Sequence, residues 1–183
     1  MRKGYSNNEK YRSIMIILGI DPAIRCTGYG VVEFSSGGDS RIIDCGVIRN
    51  TQRMPHSECL RRVSGGIKQL IEEFKPAAAS IEDPFLGRNP NTAIILGMVR
   101  GTILTALAEQ GIPAYSYSPR TAKKSAVGSG TASKEQIAFM MAHEFNLDTN
   151  DIPLDATDAL ALAVCHARTA VNPALEYLLP KPL

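Results

Sequence analysis

The sequence predicts an α/β domain: a five-stranded mixed sheet, three antiparallel strands followed by two parallel ones, flanked by helices. Three observations carry this. The first 50 residues hold three short β-branched runs. The links between them are too short for a parallel crossover, which needs a dozen or more residues. Beyond them the apolar period lengthens to about 3.6, and two further short strands are each reached through a helical stretch, which makes them parallel. Hydrophobic residues form 44% of the 183-residue chain, enough for one sizeable core and too much for disorder.

Each element follows from local pattern. Ile14 to Ile20 reads as a fully buried strand closed by Asp21-Pro22. Gly28 to Phe34 is the second strand, Ser35-Ser36-Gly37-Gly38-Asp39 the turn, and Arg41 to Arg49 the third strand. Ser57 to Phe74 places Leu60, Val63, Ile67, Leu70, Ile71 and Phe74 on one helical face, and Pro76 ends it. Ala77 to Ile81 is the fourth strand, running into Glu82. Thr92 to Gln110 is a helix with Ile95, Met98, Val99, Ile103 and Leu107 along one side, closed by Gly111. Ala114 to Tyr117 is the fifth strand. Ser133 opens another helix, with Gln136 completing a capping box, and a last helix follows Pro153 to about Arg168. Residues 1–13, polar and aperiodic, read as a disordered extension; 14–172 form the domain, and 173–183, with Pro180 and Pro182, an irregular tail.

Composition narrows the function classes. A net charge of +2 supplies no global cationic field, so any nucleic-acid binding must come from a local patch. The four cysteines, Cys26, Cys45, Cys59 and Cys165, form no CxxC pair. Without a secretory leader they read as reduced thiols of a cytoplasmic protein rather than a zinc site. No apolar stretch approaches the roughly 20 residues of a membrane span, so no membrane partner is expected.

The chemistry is expected of four acids. Asp21 ends the first strand and Glu82 the fourth. Parallel neighbours would open both ends on one sheet edge, where ligands of α/β sheets bind. In "PLDATDALALAVCHA", Asp155 and Asp158 are spaced i, i+3 on one side of a helix. Singly, each has a plain structural reading: a turn aspartate before proline, a solvated strand end, acids at a helix N-terminus. Together, four carboxylates without cysteine suit Mg²⁺ or Mn²⁺. A pair of such ions about 3.5–4 Å apart can hold a phosphodiester and activate water. Asp83 follows Glu82, but strand alternation points it elsewhere.

"SPRTAKKSAVGSGTASKEQ" carries Arg120, Lys123, Lys124 and Lys134 with no acid between Ser118 and Lys134. A solvated loop is the plain reading, and a mobile cationic loop for a phosphate backbone the functional one. Its glycines lack the GxxxxGK[ST] spacing of a nucleotide loop. In "EDPFLGRNPNTA", Phe85 is either an anchor under its loop or a stacking platform for an unpaired base.

Four segments, "ILGIDP…TGYGVVE", "SIEDPFLGRN…LGMVRG", "RTAKKSAVGSGTASKEQI" and "DATDALALAVCHA", resemble the RuvC family of Holliday-junction resolvases in order and spacing. The likeness runs from about Met15 to His166. It implies a ribonuclease H-like fold and a homodimer. It also implies paired symmetric nicks in four-way junction DNA during recombination and repair, dependent on Mg²⁺, two per site, with Mn²⁺ able to substitute. The family's catalytic, metal-binding acids fall on Asp21, Glu82, Asp155 and Asp158. Its junction-contacting aromatic falls on Phe85 and its DNA-contacting lysines on Lys123 and Lys134. Arg120 and Lys124 join these from the charge pattern. The resemblance further implies the RuvA/RuvB branch-migration complex as partner. Two departures stand out. Ala23 takes the place of a family glycine, and would be strained if φ were positive there. The tail is short and carries one lysine where the family's is often basic.

Three rival readings differ in what they require. A ribonuclease H-like enzyme of the YqgF type would act on RNA, and its acid set and length match less well. A sugar-kinase-like phosphotransferase shares the "GIDxG…TG" opening but needs about twice this length. A non-catalytic junction scaffold has no need of all four acids.

Overall fold

The structure, a computed structural model, describes residues 14–35, 40–84 and 89–183. Its strands are β1 (Ile14–Asp21), β2 (Cys26–Ser35), β3 (Ser40–Arg49), β4 (Ala78–Glu82) and β5 (Ala114–Tyr117). The helices are α1 (His56–Phe74), α2 (Pro90–Glu109), α3 (Pro119–Val127), α4 (Lys134–Phe145) and α5 (Thr157–Val171). The sheet order is β3-β2-β1-β4-β5. β1 pairs antiparallel with β2 and β2 with β3, whereas β4 lies parallel to both β1 and β5. This is the expected topology, and the limits of the expected strands and helices are met within three residues.

Strand alternation assigns each side chain to a layer. In β1, Ile17 enters the core under α3, α4 and α5, while Leu18 and Ile20 enter the core under α1 and α2. In β4, Ala78 joins the first core and Ala79 and Ile81 the second. By the same alternation, Asp21 and Glu82 face the α5 layer.

α5 is buried along nearly its whole length, from Thr157 to Ala167. It reaches the sheet because glycines admit it. A Cβ on Gly19 would stand 2.0 Å from the Ala159 carbonyl oxygen, and one on Gly30 2.7 Å from the Leu160 side chain. Gly19 and Gly30 are register partners on β1 and β2, so together they form a shallow floor under the helix.

Four expectations need correction. The segment from Ser118 to Lys134 is no loop over most of its length: Ser118 caps α3 by accepting from the Thr121 amide, Pro119 occupies the first turn, and Gly128 (φ 79°) closes it. Small residues and charge hid this helix from periodicity. Second, α2 has 20 residues and is long and apolar enough, by length and composition, to cross a membrane. It nevertheless packs on α1 and buries Arg100 with Val99, Ile103 and Leu107. Third, Ala23 needs no glycine: the described non-glycine residues with positive φ are Lys75 and Asn146. Fourth, the tail contains a 3-10 turn at Pro173–Leu178, and its last residue donates from the Leu183 amide to the Ala114 carbonyl of β5 at 2.9 Å.

Candidate active site and nucleic-acid interface

The β1–β4 register ends on Ile20 opposite Ile81, so Asp21 and Glu82 are the next pair across the parallel ladder. Their side chains hydrogen-bond to each other. Two carboxylates in contact cannot both ionise cheaply, so one keeps a proton. Burial, then the bond and the charge of Asp21, push the Glu82 carboxyl up to about 8. Burial also raises Asp21, the bond from Glu82 partly offsetting it, with Asp158 a further repulsive charge.

Asp158 lies in the first turn of α5, and Asp155 just before it in a 3-10 turn, Leu154–Ala156. Thr157 Oγ1 donates to the Leu154 carbonyl at 2.8 Å and joins the two turns. Gly28 lets the turn approach: a Cβ there would stand 2.4 Å from the Asp155 carbonyl oxygen. The two aspartates share a cation, since Lys134 Nζ lies 3.7 Å from a carboxylate oxygen of each. Asp158 is the inner one, acting on both Asp21 and Glu82. Asp155, with its side chain half exposed, forms the rim.

Two of the four expected lysine and arginine contacts belong to this cluster. Lys123 Nζ is 3.2 Å from Asp158 Oδ1, and Lys134 opens α4 against both aspartates. The capping box at Ser133 and Gln136 holds that helix end in place. Arg120 and Lys124 are exposed on α3 without an ion pair among the described residues. Phe85 lies outside the described residues. Asp83, as alternation requires, turns away and accepts from Ser116 Oγ.

Three residues at the site were not read from the sequence. Arg100 donates to the Glu82 carbonyl oxygen and, at 2.8 Å, to Ser116 Oγ, so α2 holds the end of β4. Its signal was a lone arginine beside Val99 on an apolar face. Arg49 Nη2 lies 3.5 Å from Asp155 Oδ2, and Cys26 Sγ lies 3.5 Å from the same oxygen. Both stand at strand ends that the antiparallel meander brings to this edge.

The donor set suits a hard divalent cation. All four acids offer oxygen, and Asp158 Oδ1 is buried without a hydrogen bond, the Lys123 ammonium beside it supplying charge alone. Among the described residues no three acids stand at the spacing of a preformed metal cluster. A shared proton, the ammonium groups of Lys123 and Lys134 and the Arg49 guanidinium balance the acids here.

Comparisons with known proteins identify the family. The family model for crossover junction endodeoxyribonuclease RuvC matches residues 17–166. A crossover junction endodeoxyribonuclease RuvC of Chloroflexus aurantiacus is 43% identical over 156 residues, 85% of this chain and 94% of that one. One from Chlorobium phaeovibrioides is 40% identical over 151 residues, 82% of this chain and 80% of the other. The structure of Thermus thermophilus RuvC in complex with Holliday junction substrate superimposes with a TM-score of 0.81 at 31% identity, covering 92% of this chain and 99% of that one. The yeast mitochondrial Holliday junction resolvase shares the fold alone, with a TM-score of 0.63 at 15% identity over 88% of this chain and 80% of its own.

Proposed function

This chain belongs to the RuvC family of crossover junction endodeoxyribonucleases, and from that premise we propose that it resolves Holliday junctions by paired symmetric nicks in DNA recombination and repair. The observation that carries the site assignment is the Asp21–Glu82 pair at two parallel strand ends, with Asp158 charging both. The catalytic set is Asp21, Glu82, Asp155 and Asp158.

Family membership makes the enzyme a metal-dependent nuclease. We assign the metal as Mg²⁺, two ions per site with Mn²⁺ able to replace them, held by the same four acids. Bound there, the metal supplies Lewis-acid stabilisation of phosphate charge and a water of lowered pKa. The chain's own groups do the rest. Arg100 holds the backbone of Glu82, so the carboxyl keeps its position beside Asp21 when its proton leaves. Lys123 and Lys134 leave their aspartates for the scissile strand's phosphates, with Arg120, Lys124 and Phe85 extending the contact. The acids pack against the sheet edge and the lysines arch over them, an arrangement suited to a strand drawn out of its duplex.

Two symmetric cuts require two sites related by a two-fold axis, and a homodimer supplies them. α2 favours this reading: Ile94, Gly97, Met98 and Gly101 lie exposed along one stripe, and a Cβ on either glycine would meet nothing within 4 Å. We place the enzyme in the cytoplasm, where its four free cysteines stay reduced, working with the RuvA/RuvB branch-migration complex. The domain spans 14–172, ahead of the tail; residues 1–13 lie outside the described residues. Cleavage with Mg²⁺ on a mobile junction, a fixed junction, a duplex and an RNA hairpin tests the reading. Symmetric nicks on junctions alone are expected. Equal cutting of RNA indicates a YqgF-type ribonuclease, and binding without cutting a scaffold.

A further inference from the structure

The cations over the acid cluster, on α3 and α4, occupy one side of it. A second set lies on the other side, where β3 ends and the chain turns into α1. β3 runs parallel to β1 through the two antiparallel pairings, so Arg49 ends at the same sheet edge as Asp21. From Arg49 to Arg62 the sequence holds four arginines, Arg49, Arg53, Arg61 and Arg62, and a single acid, Glu58. That acid is taken: Arg61 grips it with two bonds, of 2.8 and 2.6 Å. Of the remaining three, Arg49 meets the site's own Asp155 at 3.5 Å, Arg62 acts on Glu58 through charge alone, and Arg53 pairs with no carboxylate among the described residues.

The connection is built to stay in place. Arg25 donates to the carbonyls of Thr51 at 2.6 Å and Met54 at 2.9 Å, and Asn50 donates to the Ile24 carbonyl at 2.9 Å. Arg62 is pinned by Asn50 Oδ1 at 3.1 Å and reaches the Arg49 carbonyl oxygen at 3.4 Å. Arg25, like Arg62, is thus hydrogen-bonded only to neutral groups, adding charge beneath the turn. Arg53 is exposed at the turn itself and forms no hydrogen bond or ion pair among the described residues. Arginines in excess over acids on a braced turn, beginning beside a catalytic acid, match a row of phosphates: arginine forks bind phosphate bidentately, and a fixed turn loses little entropy in doing so.

We propose that Arg49, Arg53 and Arg62 form a second backbone-binding surface for duplex DNA. It grips the junction arm on the β3 side of the acid cluster, while Lys123 and Lys134 hold the strand being cut. Its contacts are to phosphates, so it positions the arm without selecting sequence. This inference rests on the junction-cutting reading above.

The test is fluorescence anisotropy of labelled junction over a salt series with Arg53→Glu, Arg53→Ala and Arg62→Ala, together with phosphate-ethylation interference. Arg53 holds nothing else, so its variants are expected to melt as wild type, which circular dichroism checks. Arg53→Glu is expected to weaken junction binding about tenfold near 0.1 M salt, and Arg53→Ala to lower the salt slope by about 0.9. Ethylation of phosphates in one arm, inhibitory for wild type, becomes indifferent for the variants. Cutting at saturating protein persists. Wild-type affinity, slope and interference in both Arg53 variants overturn the inference while wild-type cutting leaves the junction reading intact. Wild type that cuts no junction overturns the junction reading itself. Loss of affinity for an acidic protein partner but not for DNA also refutes the proposed surface.

Discussion

Asp21 and Glu82 stand side by side at the ends of two parallel strands, and their carboxyls share a hydrogen bond. The bond exists because β1 and β4 align residue for residue and both side chains face α5, whose Asp158 adds a third negative charge. A proton is the smallest cation that relieves such a cluster, and a divalent metal relieves it more completely.

Stability of the metal-free protein should therefore fall as pH rises. Glu82 titrates near 4.5 when unfolded and near about 8 when folded. Between these values the folded state keeps a proton that the unfolded state has released, so raising the pH favours unfolding; above about 8 the dependence ends. Melting curves in chelator from about pH 5 to 9 should show this slope in wild type, a flatter one in Glu82→Gln, and its loss on adding Mg²⁺. His166 acts oppositely at lower pH. Its buried ring, hydrogen-bonded to the Tyr117 hydroxyl, is held down to about 4, so protonation favours unfolding. That contribution is present in both proteins and cancels in the comparison.

Catalysis and binding should separate by residue. Glu82→Gln keeps shape and hydrogen bonding but removes a ligand charge, and cutting should drop by about 100-fold or more. Junction affinity should hold or rise, because repulsion of phosphate falls. Lys123→Ala should weaken binding across all sequences and flatten the salt dependence by about one unit. Gel cleavage and anisotropy on the same preparations check both; equal binding loss in the two variants would mean that the acids only support the fold.

The glycine floor under α5 gives a packing prediction. Gly19→Ala forces a methyl into the Ala159 backbone and should cost about 1–3 kcal/mol or more. Cutting should fall with it, since α5 carries Asp158. Gly65 on α1 has open space around it, and Gly65→Ala should stabilise by about 0.5–1 kcal/mol through helix propensity. Denaturant titration of the pair distinguishes close approach from a general intolerance of glycine substitution.

The α2 stripe predicts the assembly. Ile94→Glu combined with Met98→Glu places charge on an exposed apolar face without touching the buried one. Light scattering should show wild type at twice the chain mass and the variant at one. Junction nicking by the variant should lose its pairing, giving single nicks. A wild-type mass of one chain with junction DNA present would contradict the dimer.

Much of this was legible in residue order. Short β-branched apolar runs such as Ile14 to Ile20, the helical face from Leu60 to Phe74 and short links in the first 50 residues determine strands, helix and antiparallel pairing, because run length and period couple to backbone geometry locally. Parallel placement of β4 followed from its helical crossover, and with it the meeting of Asp21 and Glu82. α3 escaped because its signal is a cap, Ser118-Pro119, and not a periodic face.

Other features were decided by tertiary structure alone. Gly19 and Gly30 stand inside strands with no sequence signal of their role, which is to let a helix backbone touch a sheet. Arg49 joins Asp155 from 106 positions away, and Arg100 reaches the Glu82 carbonyl from a helix. Which carboxyl keeps a proton depends on burial and on distances between groups remote in the chain. Those quantities come into being only when the layers pack, since desolvation and Coulomb interaction depend on position in space and not on order in sequence.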